Sequence, residues 1–345
     1  MNLKELIKRF IVAGVAIPIV CFCVVHPIFM NLITVTLSFV GTIEWILLRR
    51  HIMKHYFDLS TTTNSSNYSS SSGTSGTSGE KSGGVIREEA FPRRAQNWRD
   101  RVQVYVRGAL SAILPLVAYF YFDRPFYVLA GIIAIYVLMF VCTIFGWMNS
   151  GMSDFFVGGG DKTKISPQQH MIFDMVALAL DFFGILYTGF NLAAAIFILR
   201  QKPILLLLIL FANWAADAFA MFAGKRLGRH KLCPSLSPNK TVEGAVGAVV
   251  GAVLLSLAVR LISVQFGLFS SAASPLAPVS TFVYNGILLG ILGIVGDLLE
   301  SFYKRVAVIK DSGDFFGAHG GVLDRIDGLL FSFPVMYIVL ELGFF

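Results

Sequence analysis

Residues 203–223 read PILLLLILFANWAADAFAMFA, and this stretch decides the fold. About twenty apolar residues wound as a helix cross the hydrocarbon core of a bilayer, and here they carry a single charge, Asp217. Working outward, similar apolar runs recur near 11–29, 31–48, 108–122, 126–147, 171–199, 241–264, 282–303 and 329–345, which makes nine spans. Composition agrees. Of 345 residues, 55% are hydrophobic and 14% charged, with a mean hydropathy of +0.70, more apolar surface than one soluble core can bury. The expected fold class is all-α: a polytopic transmembrane helical protein of about nine spans, with a cytoplasm-facing polar site in the C-terminal half.

Segment 171–199 is long enough for two short helices around Thr188–Gly189, but a hairpin there would put the next basic loop outside. One tilted or broken span is the better reading. Lys4, Lys8 and Arg9 precede an apolar stretch as in a signal peptide, yet no small-residue cleavage pattern follows, so the segment reads as a retained helix. With the N-terminus inside, loops 49–107, 148–170, 224–240 and 304–328 are cytoplasmic and hold most of the Lys and Arg. Loop 265–281 carries no charge, and Arg200 with Lys202 is the external exception. The formal net charge of +7 therefore reflects topology and phosphate-rich substrates. The basic residues form no stripe, so no nucleic-acid partner is indicated. Cys21, Cys23 and Cys142 lie in apolar runs and Cys233 in a basic loop, which suits neither a disulfide framework nor a zinc cluster.

Four regions follow: an N-terminal helix pair (1–48), a cytoplasmic Ser-rich insert with a basic flank (49–107), central transmembrane helices (108–200) and a C-terminal transmembrane region holding the polar site (201–345). Residues 60–84 are dominated by Ser, Thr, Asn and Gly, a composition that cannot bury enough apolar surface to offset its chain entropy, so a flexible insert is expected. Arg87, Arg93, Arg94, Arg99 and Arg101 beside Trp98 can touch anionic headgroups, although a solvated linker is the preferred reading.

Charges inside apolar spans come next, because each costs about 2.5–3.5 kcal/mol at a helix centre and normally faces a polar cavity. They are Glu44, Asp181, Asp217, Asp297 and Glu300. For Glu44 and Asp181, a place near a helix end that reaches water explains the charge equally well. Asp297 precedes a helix exit and aligns with Ser301 and Lys304 at i, i+4 and i+7. Beyond it lie Lys304-Arg305, Lys310-Asp311, His319-Gly320-Gly321 and Asp324-Arg325-Ile326-Asp327. Cations suit phosphate oxygens and carboxylates suit Mg²⁺, and nucleotidyl transfer needs both near one phosphorus. A solvated loop of mixed charge explains the charges but not the Gly pair or its placement against Asp297.

This segment resembles the signature of the phosphatidate cytidylyltransferase family: Ser, Lys-Arg, Lys-Asp, His-Gly-Gly, then Asp-Arg-x-Asp. Tyr303 departs from the family's usual aliphatic residue, and Gly317-Ala318 from its common Pro-Gly. A second stretch, Ser237-Pro238-Asn239-Lys240-Thr241-Val242-Glu243-Gly244, is similar to the family's Ser-Pro-x-Lys-Thr-x-Glu-Gly element, with Asp217 and Gly224-Lys225 upstream. There Ser237 and Pro238 are expected as N-cap and first residue of a helix, with Lys240 and Glu243 at its mouth. The resemblance covers roughly 165–345 strongly and the N-terminal part by hydropathy alone.

The resemblance implies that CTP and phosphatidic acid react to give CDP-diacylglycerol and pyrophosphate in a bacterial inner membrane, with Mg²⁺ required; a second cation, monovalent or not, is left open. Asp297, Asp324 and Asp327 are the expected metal ligands. Lys304, Arg305, Lys310 and Arg325 are expected on phosphates, with Asp311 in the same catalytic set, and His319 as a hydrogen-bond partner of phosphate or carboxylate rather than a general base. Asp217, Lys225, Ser237, Lys240, Thr241, Glu243, Ser301, Gly320 and Gly321 are expected at the substrates. The partners are CTP, phosphatidic acid and membrane lipids, with a homodimer left open. Two alternatives stand: a related CTP-dependent lipid enzyme (a CDP-archaeol-type synthase or polyprenol kinase), and a membrane transporter, which has no need of the Lys-Asp and His-Gly-Gly loop.

Overall fold

The computed structural model describes residues 18, 21–69, 98–148, 167–265, 277–315 and 320–345. Where the apolar runs lie, the backbone satisfies its hydrogen bonds internally as helices, the only open-ended structure that lipid tolerates. These are α1 (Pro27–Ser69), α2 (Trp98–Phe120), α3 (Phe126–Met148), α4 (Pro167–Ile185), α5 (Asn191–Gln201), α6 (Pro203–Leu227), α7 (Val242–Gln265), α8 (Val279–Val306) and α9 (Leu323–Glu341). Among the described residues, six segments are long and apolar enough to cross a membrane: Pro27–Tyr56, Val102–Phe120, Met171–Gln201, Pro203–Leu227, Val242–Gln265 and Val279–Val306. The chain is a multi-pass integral membrane protein. The apolar helix α3 covers the run expected at 126–147, and most of the span expected at 11–29 lies outside the described residues. Its end, 21–25, is helical up to a bend at His26.

Three expectations change, and the reading of 171–199 as one broken span is borne out. The second span does not end at 48: α1 continues to Ser69, through ten residues assigned to the flexible insert, because a helix already nucleated extends at the cost of only the added residue's own freedom. Residues 70–84 of the insert lie outside the described residues. Deleting 70–84 is expected to leave specific activity in detergent within about twofold, since a composition dominated by Ser, Thr and Gly offers little apolar surface to bury against the rest. A radiolabel assay on the purified deletion variant checks this. Segment 171–199 is one span, but it is interrupted at Leu186–Phe190 by a π-helical turn, at the Thr188–Gly189 position where a break was suspected. Residues 237–241 form a strand, β2, paired antiparallel with β1 (Lys231–Cys233), so Ser237 and Pro238 do not open α7. Instead Thr241 Oγ1 caps it by accepting from the Gly244 N–H at 3.1 Å. Finally, α9 starts at Leu323 rather than 329, which puts the Asp-Arg-x-Asp motif on a helix instead of in a loop.

The core sits around α5, whose residues Leu192–Leu199 are all buried. Polar contacts fix the N-terminal helices. Thr188 Oγ1 meets Thr42 Oγ1 at 2.5 Å and Ser111 Oγ at 3.0 Å, and Ser111 meets Ser38 at 2.8 Å. A Cβ on Gly189 would lie 2.6 Å from the Ser111 carbonyl oxygen, so the π turn lets α2 approach at backbone distance. Nearby, Asp181 pairs with Arg49 at 2.8 Å and with Arg107 at 3.1 Å, fully buried. It does not reach water; it joins α1, α2 and α4, compensated as an intramembrane charge must be. In the C-terminal half, Gly286 and Gly290 of α8 sit against the α7 backbone. A Cβ at either would lie 2.7 Å from the Cα of Val253 or Val249, the small-residue packing that replaces the hydrophobic effect within lipid.

Candidate active site

Four helix termini and the β1–β2 hairpin converge at one end of the bundle. α8 presents Asp297 and Glu300 one turn apart, on one face by helical spacing, and α9 brings Asp327 to them. One carboxylate oxygen from each lies within 4.8 Å of the others. This proximity depends on an absent side chain. A Cβ on Gly296 would collide with the Asp327 carbonyl oxygen and stand 2.9 Å from Gly328 Cα, so α8 and α9 cross at backbone distance only because position 296 is Gly.

Cations border the carboxylates. Lys240, from β2, is ion-paired with Asp297. Lys304 Nζ is 2.7 Å from Glu300 Oε2 and 2.7 Å from Asp324 Oδ1. Asp217 on α6 lies within Coulombic reach of Asp297, Lys240 and Arg325. The side chain of Asp297 is 38% exposed whereas that of Glu300 is 5% exposed, so the cluster is buried on one side and open on the other. Three carboxylates from two rigid helices form an all-oxygen donor set, the kind a hard divalent cation takes, and the open side leaves room for the ligand's own oxygens.

Asp324 does different work. Its Oδ2 accepts from the Ser312 N–H (2.9 Å), the Ser312 hydroxyl (3.0 Å) and the Gly321 N–H (2.7 Å). Burial opposes its ionisation, but hydrogen bonding with Glu300 and Lys304, the Lys304 charge and the Gly321 N–H together hold its carboxyl down at about 2. The Cβ of any other residue at Gly320, where φ is +84°, would lie 2.7 Å from Asp324 Oδ2.

A model of the cytidylyltransferase family matches residues 85–343, three quarters of the sequence and every charged group just described. The chain belongs to the cytidylyltransferase family. Among similar family members is the phosphatidate cytidylyltransferase of Thermotoga maritima, 36% identical over 175 residues, which are 48% of this chain and 56% of that protein. That of Bacillus subtilis is 41% identical over 129 residues, 37% of this chain and 44% of the relative. That of Staphylococcus saprophyticus is 42% identical over 135 residues, 38% and 48% respectively. The chain spans about half the length of the curated relatives it matches.

Within this family member, the residues singled out by sequence separate into groups. Asp297 and Asp327 meet, Lys240 and Lys304 flank them, and Ser301 is buried one turn beyond Asp297. Asp324, expected to share a metal with Asp297, is held by Lys304, Ser312 and Gly321. Arg305 Nε donates to the Leu236 carbonyl at 3.1 Å, tying α8 to the hairpin. Glu243, expected at the substrates, accepts from the N–H groups of Arg229 and His230 and from the His230 ring, and so braces the hairpin. Lys310, Asp311 and Arg325 are exposed at the same end, as is Lys225 at the end of α6, while Ser237 is half-buried on β2. His319 lies outside the described residues. Sequence reasoning noted Glu300 as an intramembrane charge without giving it a role; its i+3 spacing from Asp297 was the available signal. The aromatic departure, Tyr303, packs edge-on against Trp45 at 4.7 Å between ring centroids, so it fills space between α8 and α1.

Proposed function

We propose that the chain transfers the cytidylyl group of CTP to phosphatidic acid in a bacterial inner membrane, from a site facing the cytoplasm. A phosphate oxygen of phosphatidate attacks the α-phosphorus of CTP, the bond from that phosphorus to the oxygen bridging to the β-phosphate breaks, and pyrophosphate leaves. The observation that carries the reading is the Asp297–Glu300–Asp327 cluster bordered by Lys240 and Lys304, at the membrane-helix termini where the family's motifs converge. Asp297, Glu300 and Asp327 would hold Mg²⁺; when bound, it supplies neutralisation of the charge that develops on the departing pyrophosphate. Lys240, Lys304 and Lys310 orient the triphosphate and reduce its repulsion of the anionic phosphatidate. Phosphatidate is itself an oxyanion near neutral pH, so the attack needs no dedicated base.

Purified protein incubated with radiolabelled CTP, phosphatidate and Mg²⁺ is expected to yield lipid-soluble label and pyrophosphate in equal amounts. Release of CDP instead would identify a lipid kinase, and no turnover of CTP would remove the enzyme reading. A second expectation concerns Lys240, whose ammonium neutralises the open side of Asp297. Lys240→Ala is expected to raise the apparent KM for CTP about tenfold and that for phosphatidate less than about threefold, because ground-state binding is lost on the nucleotide side. Steady-state kinetics with each substrate varied checks this, and equal rises would move Lys240 out of the nucleotide site.

A further inference from the structure

We propose that Glu44 is a positioning residue for the catalytic end of the bundle, acting as the cap of α9 from a different helix. Glu44 lies on α1, outside the residues matched by the family model, and is 4% exposed. Helix α9 has no cap of its own: Val322, its N-cap residue, makes no side-chain hydrogen bond to the helix, and the first N–H groups of any helix need an external acceptor. Glu44 supplies it. Oε1 accepts from the Val322 N–H and Oε2 from the Leu323 N–H, both at 2.9 Å, and Oε2 also lies 3.2 Å from the Ser312 hydroxyl. The anion sits at the positive end of the α9 dipole.

The surrounding chain is shaped to admit this carboxylate. A Cβ on Gly313 would stand 2.7 Å from Glu44 Oε1, and one on Gly321 would stand 2.5 Å from Oε2. Ser312 joins two carboxylates: its backbone N–H goes to Asp324, and its hydroxyl, with one hydrogen to give, faces Glu44 and Asp324 alike. Thus a charge that costs free energy within an apolar span is held in place by both ends of the signature loop and by the first turn of the helix that carries Asp324 and Asp327. Glu44 touches no atom assigned to substrate. It acts through α9, whose rotation or fraying by a fraction of a turn would carry Asp327 away from Asp297.

The test uses the full chain in detergent with Glu44→Gln, Glu44→Asp and Thr42→Val. Thr42→Val breaks the hydroxyl cluster on the same helix without touching the loop, and so reports a plain packing defect in α1. Glu44→Gln leaves one oxygen for two N–H groups. It is expected to raise amide hydrogen exchange at least about tenfold in peptides covering 310–315 and 320–326, and not in those from α5 and α6. It should also lower kcat about tenfold or more while the KM for CTP and phosphatidate move less than about threefold. Glu44→Asp, which keeps the charge, should recover part of both, and it carries the test if Glu44→Gln does not fold. Thr42→Val should match wild type in exchange at 320–326. Unchanged exchange there in Glu44→Gln, an equal kcat loss in Thr42→Val, or Glu44→Asp no better than Glu44→Gln would each overturn the proposal. Only the kinetic arm rests on the cytidylyl-transfer reading. A wild type without that activity would defeat that reading, while the exchange data would still decide whether Glu44 caps α9.

Discussion

Asp297→Asn and Asp327→Asn are each expected to reduce kcat by at least about a thousandfold, a loss of ~4 kcal/mol of transition-state stabilisation, while membrane insertion and melting temperature stay close to wild type. The two carboxylates approach each other across the Gly296 crossing with Glu300 as third member. Removing one charge from such a cluster relieves like-charge repulsion, so the fold has little to lose. What it is expected to lose, on the proposed function, is a ligand for a hard cation. In wild-type protein, added Mg²⁺ should raise the melting temperature, because a ligand that binds only the folded state stabilises it by mass action; in either variant that rise should disappear. Kinetics and thermal melts of the purified proteins over a Mg²⁺ series check both parts. A variant that retains more than about a tenth of wild-type kcat, a loss under ~1.4 kcal/mol, shows that its carboxylate is not a metal ligand.

Asp324→Asn should also lose turnover, by about a hundredfold or more, but with the opposite signature in stability. Its carboxylate takes three donors on Oδ2 and Lys304 on Oδ1. An amide must turn its NH₂ toward one of these sets, donor against donor, and charge-assisted bonds are lost at a cost of about 2–3 kcal/mol. The melting temperature should therefore fall while the Mg²⁺-dependent rise survives. The sign of the pH dependence follows from the same contacts. The folded-state pKa is depressed from 3.8 to about 2, so the stabilisation is fully present above about pH 4 and is lost as pH falls through the folded value. A variant with unchanged melting temperature and no Mg²⁺ response would return Asp324 to the metal.

Much of the fold was legible because lipid imposes one rule on the chain. Apolar runs such as 203–223, 241–264 and 282–303 must become helices, and they reappear as α6, α7 and α8 with ends shifted by a few residues. The legible part of the site was chemical: the acids and cations of 297–327 are the groups that phosphoryl transfer needs, whatever their arrangement. Element type failed at Ser237-Pro238, where a Ser-Pro pair fits a helix start and a strand equally well and hairpin pairing with Lys231–Cys233 settled the outcome. It failed again at 324–327, where three charged residues around Ile326, before an apolar run, look like a loop until an external carboxylate caps the start of α9.

By itself the sequence determined that this protein lives in a membrane, that its C-terminal half carries the charged groups of the candidate site, and which family motifs they spell. Those properties depend on residue type and local spacing, which one dimension records. Only the tertiary structure decided which carboxylates share a site. Asp297 meets Asp327 because position 296 lacks a Cβ, Glu300 joins them through one turn of α8, and Asp324 is held by Lys304, Ser312 and Gly321. It also decided that Glu44, separated from Val322 by 278 positions, closes the end of α9. Long-range pairing of this kind depends on how closely helix backbones can approach, and no local pattern around Glu44 contains that distance.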